Sequence, residues 1–393
     1  MYIYLALLLL LVSAALAREP ITHILMTKNH LDRTTIAQLQ GLSEVQEIVM
    51  GSGYTVVNIA RYYSEVERVV NRAGYEYILE ENVKIEVSAD TPHWNLDRLD
   101  ENDYPLNGAY QPIGTGTGIT IYVLDTGVNI QHQDFQGRAE REYKAESPCS
   151  SDVNAQNHGT WVASIAAGDS YGVARRATIN DVKLPTGSSC DFSTVDAVQA
   201  LIWLLTRPAP FVVTMSWNTV GGGSICIDNL VSDLRQHGAF LVAAAGNGNT
   251  DNGACLVSPA RAQSALTVAS SATTGLGIGL GVGSDDIRSG FSNYGDCIWG
   301  FAPGSNIAGA AATSLSGSVN MSGTSAAVPH VAGMAAQLMT RFDLTTPDEI
   351  DIALAERAVI NKVSDARGTT NRLLNLSAAG TLQPVLALLL LAF

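Results

Sequence analysis

Positive charge is scarce in this chain: Lys and Arg number 23 against 37 Asp and Glu, a formal charge of −14 at pH 7. A nucleic-acid partner needs a basic patch to neutralise phosphates, and this deficit argues against one. Low-complexity and disordered blocks are missing as well, which leaves a soluble, secreted protein as the reading that fits. Cysteine is limited to five residues in 393, an odd number that implies bridges with one thiol left over in an oxidising compartment. Spacing alone does not fix how they pair. What is present is enough length to bury a sizeable core, and 36 glycines suit a turn-rich α/β fold.

Residues 1–17 form an apolar run, nearly all leucine from Leu5 to Leu11, that closes on Ala15-Leu16-Ala17. The small-x-small ending predicts a cleaved secretory signal. Met1 to Tyr4 carry no Lys or Arg, so a short membrane anchor is the alternative, although the run is short for a span. From Ile21 to about Val87 the chain is charged and alternating. Strands are predicted at Thr22–Met26, Tyr54–Ala60 and Tyr77–Val87, and helices at Thr34–Leu42 and Ser64–Ala73. No catalytic constellation lies here, and a small structural or binding domain fits by itself.

After the polar connection Ser88–Pro92 the pattern changes. Apolar runs Ile119–Leu124, Phe211–Met215, Phe240–Ala245 and Ala265–Ala269 alternate with helical stretches near His158–Ala167, Ser193–Leu205 and Leu230–His237. Continuous apolar strands between helices predict an α/β fold with a mostly parallel sheet and helices on both faces. Sites in such sheets form at the C-terminal ends of strands.

The stretch Asn320–Met339 reads as a turn feeding a helix: Gly323 permits a sharp turn, Pro329 suits a first helical turn, and Val331, Met334, Ala335 and Leu338 recur at helical spacing. Ser325 therefore stands near a helix N-terminus, where free amides and the dipole can stabilise negative charge. A serine hydroxyl needs a base and an orienting group to become a nucleophile. Asp125 ends an apolar strand, His158 opens a helix beside Gly159, and Asn247 ends the run Leu241–Gly246. Each has a plain alternative: Asp125 and Asn247 as turn residues, His158 as one of seven histidines. His23, His30, His93, His132 and His237 read as surface positions, and His330 as a packed or capping group. Gly114-x-Gly-x-Gly118 precedes its strand, so it is no dinucleotide loop.

In order, Asp125-Thr-Gly, Asn157-His-Gly-Thr, Asn247 and Ser322-Gly-Thr-Ser resemble the subtilisin-like serine proteases, peptidase S8, and most closely the proteinase K and aqualysin branch. Trp94-Asn-Leu-Asp-Arg-Leu-Asp, Gly290-Phe-Ser-Asn-Tyr-Gly and Phe301-Ala-Pro-Gly resemble further landmarks of that family. The resemblance implies Asp125, His158 and Ser325 as the catalytic set and Asn247 as the oxyanion donor, in a secreted serine endopeptidase, monomeric, acting on proteins or peptides. A catalytically silent binding module on the same fold is the alternative.

The resemblance also divides the chain: signal peptide 1–17, an inhibitor-type propeptide 18–90 removed by self-cleavage, catalytic domain 91–377, and apolar tail 378–393. The small residues at 377–380 followed by that tail fit a lipid-anchor signal, which would place the protein on the cell surface; an apolar tail packed on the domain is the alternative. Ser216, Trp217 and Asn218 with Ala244, Ala245 and Gly246 are expected to line the primary pocket. The family usually has Ser-Leu-Gly where Trp217 and Asn218 stand. Trp161, Ala326 and Val328 replace a usual histidine, methionine and threonine. Disulfides are implied for Cys149 with Cys190 and Cys255 with Cys297, leaving Cys226 as a buried, inert thiol. No cofactor is implied for catalysis. A structural calcium is implied at Asp286 with the carbonyls of Gln263 and Ala265, the alternative being a solvated surface Asp. Of two sequons, Asn320-Met-Ser reads as inaccessible and Asn375-Leu-Ser as usable.

Overall fold

Along the strand Thr120–Asp125, Ile121 and Val123 point to one side and Tyr122 and Leu124 to the other, and all four are buried. A strand apolar on both faces needs a cover on both, and this period-2 division organises the larger part of the chain. The computed structural model describes residues 23–43, 45–51, 54–60, 63–81, 93–145, 157–185, 192–274 and 284–377. These fall into two compact units, one within 23–81 and one within 93–377.

The first unit is a four-stranded antiparallel sheet, order β2-β3-β1-β4, from β1 (His23–Lys28), β2 (Val45–Gly51), β3 (Tyr54–Ile59) and β4 (Tyr77–Glu81). Helices α1 (Arg33–Gln40) and α2 (Ser64–Arg72) complete it. Leu25, Val57 and Ile59 from the strands meet Leu39, Val66 and Val70 from the helices in one core, while Ile78 on the sheet is exposed. Asp32 starts α1 by accepting Thr35 N at 2.7 Å. β2, whose Val-Gln-Glu-Ile-Val-Met run lacks a period-2 alternation, escaped the sequence reading, which found the other three strands.

The second unit opens with α3 (Trp94–Asp100) and is built on a large sheet. Its strands are β5 (Thr120–Asp125), β6 (Ala139–Lys144), β7 (Thr178–Lys183), β8 (Phe211–Met215), β9 (Ala239–Ala244), β10 (Leu266–Thr273), β11 (Asp286–Arg288) and β12 (Gly300–Pro303). The hairpin β13 (Ile307–Ala310) and β14 (Ser318–Met321) stands apart as its own ladder, and β15 (Val359–Ile360), β16 (Val363–Ser364) and β17 (Arg372–Leu373) finish the edge. The order is β15-β17-β12-β10-β9-β8-β5-β7-β6, and every neighbouring pair from β17 to β6 is parallel.

Helices α4 (His158–Ala167) and α7 (Thr324–Phe342) cover one face, against Ile121, Val123, Val212 and Val242. Helices α5 (Thr194–Leu204) and α6 (Ile225–His237) cover the other, against Leu124, Val213, Met215 and Leu241. Each of these aliphatic side chains contributes roughly 1.5–3 kcal/mol by leaving water. The last helix, α8 (Pro347–Arg357), carries a capping box at Thr346 and Glu349. The sheet is therefore mostly parallel, with β11 and β15 antiparallel at its edge, and covered on both faces by helices, as the apolar runs imply. Strand order reverses at β5, with β7 and β6 to one side and β8, β9 and β10 to the other. A crevice opens at the C-terminal end of such a strand.

Several expectations need correction. His132 is buried, with Nε2 at 2.9 Å from Gly317 O and Nδ1 accepting from Asp134 N, a cap and not a surface group. Asn375 is fully buried and donates its amide to Arg98 O and Glu101 O, so the folded chain does not present it; Asn320 is the exposed sequon, on β14. Cys255 and Cys297 are joined as expected. Cys226 is a free thiol but exposed, because it precedes the inward positions Ile227, Val231 and Leu234 of α6. Cys149, Cys190, the leader 1–17 and the tail 378–393 lie outside the described residues.

Candidate active site

The turn Thr126-Gly127 after β5 lies against the first turn of α4 with no room to spare. A Cβ on Gly159 would stand 2.5 Å from Gly127 O, so the two backbones can meet only because position 159 has no side chain. Thr126 Oγ1 accepts from Gly159 N at 3.0 Å and ties the same two segments. Below the turn, Lys183 Nζ donates to Thr126 O at 3.0 Å and Arg141 Nη2 to Val128 O at 3.0 Å. Arg141 also pairs with buried Asp181 at 2.6 Å, although burial still pushes that carboxyl up to about 6.

This packing brings the end of β5 to the start of α4. His158 Nδ1 lies 2.8 Å from Asp125 Oδ1 and 3.0 Å from Oδ2, and Asp125 Oδ1 also accepts from Thr126 N at 2.6 Å. The carboxylate is 2% exposed and the imidazole 31%, so the ring joins a buried charge to the solvent side. Burial acts to lower the His158 pKa, but the Asp125 charge and hydrogen bond outweigh it and hold the imidazole above its ordinary 6.5. Such a ring keeps its proton on Nδ1, donates it as a hydrogen bond to the carboxylate, and presents Nε2 as a base.

The other half of the site is the start of α7. Ser325 is the second residue of that helix and half-buried. Pro329 is not in the first turn, as the sequence reading has it, but inside the helix. Four residues after Ser325, it removes the amide that would bond Ser325 O. Ser216 Oγ takes that place, donating to Ser325 O at 3.0 Å, and Ser325 Oγ donates in return to Ser216 O at 3.1 Å. Among the described contacts none joins Ser325 Oγ to the imidazole. Gly323, expected as a sharp turn, has φ 166°, which is extended backbone.

Asn247 Oδ1 accepts from Thr324 N and Thr324 Oγ1, both at 2.9 Å, and Thr324 Oγ1 accepts from Gly246 N at 3.1 Å. With its oxygen fixed in this way, the Asn247 amide keeps its two N–H groups for another acceptor. A Cβ on Gly323 would lie 3.4 Å from Asn247 Nδ2 and 3.7 Å from Ser325 Cβ, so the two side chains border one space. Thr324 was missed by the sequence reading; its place between Ser325 and the glycine was the available signal. Farther along α7, fully buried His330 donates Nδ1–H to Ala326 O at 2.7 Å and accepts Asn95 Nδ2 on Nε2 at 2.7 Å. Burial pushes its pKa down to about 4, so it stays neutral, the packed group that was expected.

The expected pocket residues divide. Trp217 and Asn218 line a cavity of about 740 Å³ with Phe192, Thr194, Ala197, Val220 and Ile227 among its walls. Trp217 is fixed there by Nε1 donating to Leu124 O at 3.0 Å and by an edge-to-face contact with Phe192. Ser216 faces Ser325 instead. The side chains of Ala244 and Ala245 are buried in core clusters, and Gly246 packs against Asn293, so none of the three lines that cavity.

At Asp286 the residues present do not fit the implied calcium, nor is this a solvated surface Asp. Its carboxylate is buried and accepts Arg98 Nη2 at 2.7 Å and Nε at 3.0 Å, with Tyr104 Oη at 3.3 Å, so its charge is already compensated. Asp286 pairs with Thr273 at the far end of β10, whereas Gln263 and Ala265 precede the near end of that strand. Eight residues of strand, roughly 26 Å, separate those carbonyls from it. Among the described residues no group of three or more His, Cys, Asp or Glu could hold a metal ion.

With this geometry in hand, comparison with known proteins is direct. Residues 116–380 match the subtilase family, Peptidase_S8. An extracellular serine proteinase of Thermus sp. (strain Rt41A) is 38% identical over 275 residues, 70% of this chain and 63% of its own length. Alkaline serine exoprotease A of Vibrio alginolyticus is 37% identical over 282 residues, 72% of this chain and 49% of its own. The chain thus spans less than two thirds of either relative. A cuticle-degrading serine protease of Arthrobotrys oligospora is 31% identical over 316 residues, 78% of this chain and 74% of its own. The crystal structure of a cold adapted subtilisin-like serine proteinase superposes with TM-score 0.64 at 39% identity, covering 73% of this chain and 98% of that one. The chain belongs to the subtilase family.

Proposed function

We propose that this protein is a secreted serine endopeptidase that hydrolyses peptide bonds through an acyl-enzyme. The observation that carries the reading is the 2.8 Å contact of His158 Nδ1 with buried Asp125, which prepares Nε2 as a base on the same cleft as Ser325. Ser325 Oγ turns from Ser216 O toward Nε2, gives it the proton and attacks the peptide carbonyl. The oxyanion takes hydrogen bonds from Asn247 Nδ2 and the Ser325 backbone N–H. The imidazolium, stabilised by Asp125, returns its proton to the leaving amine, and water activated by the same imidazole then hydrolyses the ester. No cofactor enters these steps. Substrates are proteins or peptides, and the wall made by Trp217, Phe192 and Ile227 favours apolar side chains.

The unit within residues 18–90 is read as a propeptide removed by the active site of 91–377, with the cut between Val87 and Pro92. The test is maturation in a host lacking other secreted proteases, followed by N-terminal sequencing and labelling with a serine-directed phosphonate. Wild type is expected to begin near Ser88 to His93 and to label at Ser325, and Ser325→Ala to stay uncut and unlabelled. A wild type that is neither cut nor labelled overturns the peptidase reading; a mutant that matures normally overturns self-cleavage alone.

A further inference from the structure

Among the described residues Trp161 heads the fully buried side chains by volume, and it sits one helical turn after the proposed base, its ring centroid 6.1 Å from that of His158. Its Nε1 donates to Ile307 O at 2.9 Å. On the same helix Ser164 Oγ donates to Trp161 O and accepts from Ala310 N, both at 2.8 Å. Both ends of β13 are therefore tied to α4. Between them lies Gly309, where a Cβ would be 2.4 Å from Trp161 Cδ1 and 2.7 Å from Ser164 Oγ, so the indole occupies the volume that any other residue would need. β13 in turn pairs with β14, Ile307 opposite Met321, and β14 ends four residues before Ser325. The indole is the solid link between the helix that carries the base and the strand that runs into the nucleophile.

We infer that Trp161 and Gly309 form a positioning pair that sets the distance from His158 to Ser325, resting on the peptidase reading above. Neither touches the reacting atoms. A shift of the imidazole by a fraction of an ångström relative to Ser325 slows proton transfer and leaves substrate binding alone, so the pair acts on kcat and not on KM. It also makes the two positions interdependent: a Cβ at 309 is damaging beside the indole and tolerable beside a short aliphatic side chain that has no atom where Cδ1 and Nε1 stand.

The test uses the mature enzyme, a peptide substrate, active-site titration to count only competent molecules, and the rate of Ser325 phosphonylation. Trp161→Phe keeps a ring but leaves Ile307 O without this donor; kcat and phosphonylation rate are expected to fall about tenfold, with KM changed less than about twofold. Gly309→Ala is expected to lower both rates by about tenfold or more in wild type, and by less than about threefold in Trp161→Val, where no ring atom stands against position 309 and the Ser164 hydroxyl alone must turn aside. Should Gly309→Ala fail to fold alone, recovery of a folded, active Trp161→Val/Gly309→Ala enzyme supports the same interdependence. Undiminished kcat in folded Trp161→Phe, or equal cost of Gly309→Ala in both backgrounds, overturns the inference. If wild type itself neither hydrolyses nor labels, the peptidase reading fails first, and the positioning role with it.

Discussion

The two arms of the site are held by different forces. On the Asp125–His158 arm a buried charge faces a titratable ring, and that arm is set by electrostatics and responds to pH. On the Ser325–Asn247 arm the contacts are neutral hydrogen bonds, from Ser216 to Ser325 and from Thr324 to Asn247, anchored by the first turn of a helix. In the proposed mechanism the first arm makes a base, and the second makes a place for the charge the base helps to create. A site divided in this way can be detuned on one side without moving the other.

Removing the nucleophile should have the largest effect. Ser325→Ala is expected to lower kcat on the order of 10⁶-fold, the magnitude known for the nucleophile of subtilisin itself, with the thermal midpoint nearly unchanged. Scanning calorimetry beside a peptide assay checks both halves; loss of the fold along with activity would place Ser325 in the scaffold. Next is Asp125→Asn, expected to cost about 10⁴-fold in kcat. Activity requires the neutral imidazole. The wild-type acid limb of kcat/KM should therefore lie above the ordinary 6.5, and the mutant limb should move down, because burial then acts on His158 without an opposing charge. A limb that stays in place would break the electrostatic account of that arm.

Asn247→Ala tests the neutral arm and should lower kcat by about 10²–10³-fold with little change in KM and no shift of the acid limb. The absence of a pH effect distinguishes it from the Asp125 variant. Smallest is Ser216→Ala, which leaves Ser325 O without its hydroxyl partner and removes about 1 kcal/mol of hydrogen bonding. A fall in thermal midpoint of a few degrees at most, with kcat reduced up to about tenfold, is expected from a melting curve and a steady-state assay. A loss on the scale of Asn247→Ala would mean that the strand, and not the asparagine, governs the neutral arm.

Much of this was legible in sequence because β5, β8 and β9 are buried on both faces and so read as unbroken apolar runs that end on Asp125, Ser216 and near Asn247. β7 was not legible. It is equally buried but spells Thr-Ile-Asn-Asp-Val-Lys, its charges satisfied by Arg141 and by the carbonyl of Thr126, partners distant in sequence. His132 and Asp286 misled for the same reason: a polar residue reads as surface until the group that compensates it is in view. The four residues proposed to carry the chemistry stand at or beside the ends of elements, where the sequence pattern marks them. Thr324 and Gly309 act through contacts that only the folded chain displays.

The exchange of hydrogen bonds between Ser216 and Ser325 has a consequence for how this chain can change over generations. The two serines are 109 residues apart, and they meet where Pro329, four residues after Ser325 on the same helix, withholds an amide from Ser325 O. A carbonyl oxygen has two lone pairs, so replacing Pro329 by alanine adds an amide donor without displacing the Ser216 hydroxyl. Replacing Ser216 while Pro329 remains leaves a carbonyl at the nucleophile with neither donor. The two substitutions therefore have a preferred order: a lineage can shed Ser216 at little cost only after Pro329 has gone. Position 329 sets which histories are open to position 216.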